Sequence, residues 1–341
     1  MIVGGGNAMP TLVGSVFLVP CERTGYARRM TDDTMSNALD ALVSVRDWLR
    51  FATSRFREAG LAFGHGTTNA LDEAAFLLLE TLHLPIDQIE PWLDARLTMR
   101  ERSAILDIVE RRIATRKPAS YLTGTAYIQG HRFVVDERVI VPRSYIGELI
   151  ATNRLDELLS EAPTQVLDLC TGSGCLAILA ALRFPDAQVD AIELSPAAIE
   201  VARRNVSDHG LSARIRILEG DLLTPVAGQR YDLIIANPPY VAAAEVAAFT
   251  PEYAAEPVMA HSGGSDGLDL VRSILAEAGA HLATGGTLVM EIGTGRALIE
   301  QEFSHLPFLW LDTESSEGEV LMIGAAELSG PKSGLRKTGR R

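Results

Sequence analysis

Asn237-Pro238-Pro239-Tyr240 follows directly on the apolar run Tyr231–Ala236, so a rigid turn tipped by an aromatic ring stands where a buried strand leaves its sheet. The Asn amide offers an acceptor and a donor, each Pro fixes φ and shows a carbonyl without a competing N–H, and the Tyr offers a flat face. Such a set can hold an amide or aromatic amine by its N–H hydrogens while the nitrogen lone pair faces a reactant. A Pro-Pro pair in isolation marks only a loop. The upstream residues decide between the two readings.

There, the strand ending Val166-Leu167-Asp168-Leu169 runs into Cys170-Thr171-Gly172-Ser173-Gly174-Cys175, and a helical run continues from Leu176 to Phe184. The glycines permit a tight turn and close backbone approach, and the helix N-terminus aims N–H groups at a ligand. A second strand over 188–192 ends in Glu193, 21 residues after Gly172, the spacing of a carboxylate that grips ribose hydroxyls. A third, Ile215–Glu219, is followed by Asp221, and the fourth ends in Asn237. Four successive strands thus place polar residues at their carboxyl ends, where open α/β sheets bind ligands.

Two cofactors compete for such a site. Gly172-x-Gly174-x-x-Ala177 fits the Gly/Ala variant of the dinucleotide fingerprint. Asp168, four residues before the turn, instead suits a sulfonium substituent or its ammonium, and the Asn-Pro-Pro-Tyr turn has no role in hydride transfer. These two features favour S-adenosylmethionine.

The blocks Asp168–Ala177, Ile192-Glu193-Leu194-Ser195-Pro196, Gly220-Asp221-Leu222 and Asn237–Tyr240 together resemble the class I, S-adenosylmethionine-dependent N5-glutamine methyltransferases. The segment Arg138–Ser144 and the Cys-Thr-Gly-Ser-Gly-Cys turn are most similar to the branch that methylates a glutamine of the third protein of the large ribosomal subunit. The sister branch, acting on release factors, usually has Gly at the position of Cys170. The resemblance spans about Ala38 to Gly324, whereas the turn motif alone is shared with adenine and guanine N-methyltransferases. It implies a Rossmann-like, doubly wound sheet of seven strands, the last antiparallel, with a small N-terminal helical domain and a β-hairpin linker. It also implies a cofactor site built from Asp168, Cys170, Thr171, Gly172, Ser173, Gly174, Glu193, Asp221, Leu222 and Asn237. Asn237, Pro238, Pro239 and Tyr240 would hold the acceptor nitrogen, and the partner would be the basic ribosomal protein, free or in an assembly intermediate. The alternatives are release-factor methylation, amino-group methylation of nucleic acid, and a non-catalytic assembly factor; the last would need the pocket but not the complete nucleophile clamp.

Composition narrows these alternatives. The 341 residues carry a formal charge of −13, and because the last twelve hold five cations and no acid, the rest sums to −18. Such a body repels a phosphate backbone and attracts basic proteins. Apolar stretches break well short of the roughly 20 residues of a membrane span. Cys21, Cys170 and Cys175 offer no disulfide framework or zinc-knuckle spacing, and the seven His show no paired ligand spacing. A cytoplasmic protein without a metal is the expectation, with Cys170 and Cys175 as packing residues. Residues 1–34 read as an extension or over-extended start, with a true start near Met30 or Met35, and residues 329–341 as a disordered basic tail.

The elements that must position these groups follow from periodicity. Apolar spacing predicts a helix over 38–59 stopped by Gly60, one over 70–83 capped by Asn69, and one from Thr98, in capping-box spacing with Glu101, to Arg116. These make a helical domain over 35–117, expected to recognise the substrate and carrying no catalytic constellation of its own. The Gly64-His65-Gly66 turn inside it reads as a flexible loop. A hairpin around Gly130-His131 occupies a linker over 118–143 and offers Phe133 as a wall of the site or as a core residue. From 144 to 328, helices alternate with the strands already named, then come a helix over 267–282, a Gly285-Gly286 turn, and strands over 287–292, 308–312 and 319–323. The long loop 241–266 reads as a lid or a substrate-binding segment bearing Glu252, Tyr253 and Glu256.

Overall fold

The computed structural model describes residues 32–328; the N-terminal extension, Cys21 and the basic tail lie outside them. In chain order the elements are α1 Asp32–Ala41, α2 Val45–Glu58, α3 Ala70–Leu82, α4 Met99–Thr115, α5 Ala119–Thr123, β1 Thr125–Ile128, β2 His131–Val134, α6 Tyr145–Ala151, α7 Arg154–Leu158 and β3 Gln165–Leu169. There follow α8 Cys175–Arg183, β4 Gln188–Glu193, α9 Pro196–Asp208, β5 Ile215–Glu219, β6 Tyr231–Ala236, α10 Ala243–Val246 and α11 Pro251–Ala254. The chain closes with α12 Asp269–Glu277, β7 Leu282–Glu291, α13 Arg296–Glu302, β8 Leu309–Leu311, β9 Val320–Gly324 and α14 Ala325–Leu328. Two compact units result: residues up to 143 with 244–260 and 314–316, and the remainder from 144 onward.

In the first unit, the single helix expected over 38–59 is instead two. Ser44 takes an extended conformation, accepts from the Asp47 N–H and receives the Asp47 carboxylate on its own N–H, a capping box that starts α2 afresh. The local polar signal outweighs the helical apolar spacing across it. Asn69 caps α3 by accepting from Leu71 and Asp72, and Thr98 with Glu101 caps α4 as expected. Trp48, Phe56, Leu77, Leu78, Ile105 and Val109 interdigitate as the core of these helices. The hairpin β1–β2 is antiparallel and turns through Gln129 and Gly130, both at positive φ, which matches the twist of a tight hairpin. Phe133 is fully buried in this unit, which favours its core role over that of a wall.

The segment 244–260 is not an open lid. It carries Glu252 and Glu256, both buried, into a chain of ion pairs within the first unit. Arg112 Nε donates to Glu73 at 2.8 Å, the Glu252 carboxylate lies 2.7 Å from Arg116 Nε and accepts from the Ala62 N–H, and Arg143 makes a two-pronged contact with Glu256 at 2.6 and 2.8 Å. Burial raises the Glu73 pKa against the pull of Arg112. His65 lies inside this network with its Nε2 3.6 Å from Glu256, too long for a hydrogen bond, and burial lowers its pKa so that the ring is neutral. The Gly64-His65-Gly66 turn is therefore packed: a β-carbon on Gly64 would meet the Tyr253 hydroxyl.

The second unit is a seven-stranded sheet in the order β5-β4-β3-β6-β7-β9-β8, parallel except that β9 runs antiparallel to both neighbours. Leu167, Leu169, Ile234, Leu288, Met290 and Leu321 lie in its core. The helix expected over 267–282 is shorter, and Gly285-Gly286 is not a turn before a strand. β7 already begins at Leu282 and passes through both glycines, with the register against β6 slipping between Tyr231 and Leu233. A β-carbon on Gly286 would lie 2.7 Å from the Tyr231 carbonyl, so the glycine marks an irregularity where two backbones approach closely.

Removing Arg112 would strand Glu73 in the interior, while Glu252 keeps Arg116. Arg112→Leu is expected to cost about 3–5 kcal/mol in urea unfolding, as breaking a buried pair does. Adding Glu73→Leu should recover part of that loss; a double variant no better than the single one would contradict the pairing.

Candidate active site

Strand order reverses at β3 and β6: the chain moves from β3 outward through β4 and β5, then returns to the other side of β3. Leu169 stands opposite Ala236 in register, so Cys170 and Asn237 leave the sheet side by side. Such a switch point opens a crevice at the carboxyl edge where neither neighbouring connection covers it. The two motifs read separately in the sequence thus meet at one edge.

On the β3 side, Thr171 donates to Asp168 Oδ2 at 2.5 Å and the Ala177 N–H donates to the same oxygen at 3.0 Å. Asp168 is fully buried, and its Oδ1 has no hydrogen-bond partner among the described residues. Burial pushes its pKa up to about 7, more than those two donors pull it down. Glu193 lies one position beyond the β3–β4 pairing and accepts from the Gly172 N–H at 2.8 Å and the Ser195 N–H at 2.9 Å. It therefore holds the glycine turn and the start of α9 together, a job that its ribose spacing did not disclose. Gly172 has φ 55°, and a β-carbon there would meet nothing within 4 Å, which is the open space a bound group needs. Gly174 begins α8 and Ser173 is buried, its carbonyl accepting from Asn205 at 2.9 Å.

Two non-glycine residues in this crevice sit in the left-handed region, Cys170 at φ 58° and Leu222 at φ 43°. A β-carbon there costs on the order of 1–2 kcal/mol. Burial and the nearby carboxylates Glu193 and Asp168 raise the Cys170 thiol, and burial pushes Cys175 up to about 12, so both remain thiols. Asp221 is exposed at the end of β5 beside Leu222.

The tetrapeptide is cradled by glycines that the sequence reading passed over. A β-carbon on Gly263 would lie 2.6 Å from the Pro239 carbonyl, and one on Gly267 2.3 Å from the Tyr240 carbonyl. Both positions therefore press backbone on backbone. Val241 continues the contact, its N–H donating to the His261 carbonyl at 2.8 Å while its own carbonyl accepts from Gly263. Asp266 and Arg272 pair at 2.7 Å and tie this return loop to α12. The Tyr240 ring rests on Gly293, where a β-carbon would approach Cδ2 and Cε2 to 2.7 Å. Just before Gly293, buried Glu291 accepts from the Ser144 hydroxyl and the Ile146 N–H, and burial pushes its pKa up to about 7. The Ser262–Gly267 run was the available signal: three glycines within five residues after a long loop mark close backbone approach.

This site and sheet define a methyltransferase, and residues 150–253 match the family model described as the methyltransferase small domain. The ribosomal protein uL3 glutamine methyltransferase of Bradyrhizobium diazoefficiens is 54% identical over 84% of this chain and 92% of its own length. Those of Burkholderia pseudomallei and Neisseria meningitidis are 53% and 48% identical, covering 95% and 97% of their own lengths and 84% and 86% of this chain. The chain belongs to the ribosomal protein uL3 glutamine methyltransferase family.

Gly267→Ala is expected to displace the Tyr240 carbonyl and lower the methyl-transfer rate by on the order of tenfold to a hundredfold, since displacements near 1 Å at a reacting centre cost that much. Cofactor affinity should stay within about threefold. Stopped-flow transfer together with calorimetric titration checks both; an unchanged rate would refute the cradle.

Proposed function

We propose that this protein transfers the methyl group of S-adenosylmethionine to the side-chain amide nitrogen of a glutamine in ribosomal protein uL3. The observation that carries the reading is the pairing of Leu169 with Ala236, which brings the glycine turn and Asn237–Tyr240 to adjacent positions on one sheet edge. The names of the relatives supply the acceptor protein. An excess of acidic over basic residues, 44 against 31, suits a basic substrate in the cytoplasm.

A glutamine nitrogen is a weak nucleophile because its lone pair is delocalised into the carbonyl. Asn237 and the Pro238 carbonyl take the amide N–H hydrogens, orienting the nitrogen, and the Tyr240 ring, fixed on Gly293, bounds the amide plane. Asp168 Oδ1, buried without a partner, is the group that receives the positive end of the donor. Gly172 leaves room for it, and Glu193, Asp221 and Leu222 border the nucleoside side. S-adenosylmethionine, when bound, supplies a methyl group on an already activated sulfonium leaving group. No strong base is needed, because a nitrogen that has gained a methyl sheds its proton readily.

Asn237→Ala should leave cofactor affinity within a few fold and slow single-turnover methylation of uL3 by on the order of a hundredfold. Mass spectrometry of uL3, a release factor and duplex DNA incubated with the wild-type enzyme tests the acceptor. Methylation of a glutamine in uL3 alone is expected, and equal labelling of a competitor would overturn it.

Asp168 gives a pH dependence. Its folded pKa of about 7 lies above the ordinary 3.8, so its ionisation costs stability progressively as pH rises through that window. A cationic ligand beside it favours the carboxylate, and binding must release the proton below about 7. Affinity for S-adenosylmethionine should therefore rise up to about tenfold per pH unit between pH 5.5 and 7 and then level off. Asp168→Asn should flatten that profile, and a flat wild-type profile would remove Asp168 from the site.

A further inference from the structure

We infer that Glu291 is a positioning residue for methyl transfer: it fixes the floor on which the Tyr240 ring lies, and with it the plane in which the acceptor amide is held. The inference rests on the glutamine-methylation reading above. Ala236 pairs with Met290, so Asn237 and Glu291 are the next positions along neighbouring strands. Two residues further on, Gly293 stands at φ 53°, and the Tyr240 ring takes the space beside it, 2.7 Å from where a β-carbon would be. One end of the stretch 291–293 thus neighbours the first residue of the tetrapeptide, and the other end supports the last.

Glu291 holds that stretch through α6. Its Oε1 accepts from the Ser144 hydroxyl and, at 3.0 Å, from the Ile146 N–H, and the carboxylate takes the Tyr145 N–H as well. The Tyr145 hydroxyl in turn bonds the Glu319 carboxylate, and the Glu319 carbonyl accepts from the Ile292 N–H at 2.9 Å. These contacts close a ring from Glu291 through the first turn of α6 to Glu319 and back to Ile292. Tyr240 adjoins it: burial and then Glu319 push the Tyr145 hydroxyl up, and Tyr240 adds to that push.

Stability alone does not call for a carboxylate here. Ser144 already caps α6 by accepting from the Gly147 N–H, and an apolar side chain at 291 would avoid withdrawing a carboxyl group from water. What a buried acceptor held by several donors adds is a fixed geometry, because each donor has a preferred distance and direction. The geometry fixed here is that of a ring whose task is to orient the nucleophile. Loss of orientation slows transfer and leaves cofactor binding alone.

The test uses the full-length enzyme, saturating S-adenosylmethionine and uL3, read as single-turnover rates. Glu291→Ala should slow transfer by on the order of tenfold to a hundredfold while cofactor affinity stays within about threefold. Glu291→Gln, which keeps an oxygen for the Ser144 and Ile146 donors, should recover the rate to within about fivefold of wild type. In a Tyr240→Ala background, adding Glu291→Ala should slow transfer less than about twofold further, because residues that act through one another are not additive. Ser144→Ala removes one donor and should slow transfer about threefold to tenfold with the same dependence on Tyr240, so it carries the cycle if Glu291→Ala fails to fold. With 3-fluorotyrosine at position 240, the fluorine resonance should shift in both alanine variants and return toward its wild-type position in Glu291→Gln. An unchanged rate, an equal fall in both backgrounds, or an unmoved fluorine resonance would each overturn the proposal. Failure of the wild-type enzyme to methylate uL3 would instead refute the functional reading, and the fluorine shift would still decide whether Glu291 places Tyr240.

Discussion

The reversal of strand order beside β3 is the constraint on which the rest of the chemistry depends. Parallel strands need crossover connections, and where successive crossovers depart in opposite directions the sheet edge between them stays open. Backbone hydrogen bonding then fixes the separation of Cys170 and Asn237 with the rigidity of a sheet rather than of a loop. In the proposed reaction the donor on one side and the acceptor nitrogen on the other would face each other because Leu169 and Ala236 are paired. Side chains are needed only to refine orientation.

That precision is maintained against opposing costs around the crevice. Cys170 and Leu222 accept left-handed backbone, and Asp168 and Glu291 are carboxyl groups withdrawn from water. Each is held by surrounding structure: Asp168 by Thr171 and the Ala177 N–H, Glu291 by Ser144 and the Ile146 N–H. Strain and desolvation of this kind persist at functional sites where the scaffold over-determines the geometry. The glycines at 263, 267 and 293 serve the same end by absence, since each leaves room for the tetrapeptide backbone or its ring to lie against the chain.

The first unit uses charge differently. Its acids and arginines are paired inside, with Glu252 and Glu256 contributed by a segment that begins only a few residues after Tyr240. A segment tied by buried pairs has few alternative positions, because separating any pair leaves an uncompensated charge in the interior. The loop that leaves the tetrapeptide is thus anchored at its far side by electrostatics and at its near side by backbone contact.

Much of this was legible in the residues themselves, because the signals were local. Asn69, Thr98 and Glu101 cap helices through their own neighbours, the alternation after 144 reads as a parallel sheet, and the motifs ending β3, β4 and β6 declare a ligand edge. Where two local signals competed, periodicity alone misled: the Ser44–Asp47 box broke a helix that apolar spacing had joined. Contacts between residues distant in the chain were not legible at all. That Gly285-Gly286 lies within a strand follows from the approach of Tyr231, and that Glu252 and Glu256 are buried follows from arginines more than a hundred residues upstream. Glu193 looked like a ribose ligand by spacing, yet its oxygens also hold the Gly172 and Ser195 amides, which only the folded turn brings within reach. The sequence by itself determined which groups exist and which elements carry them; register and close approach, set by the packing of strands remote in sequence, decided what those groups face.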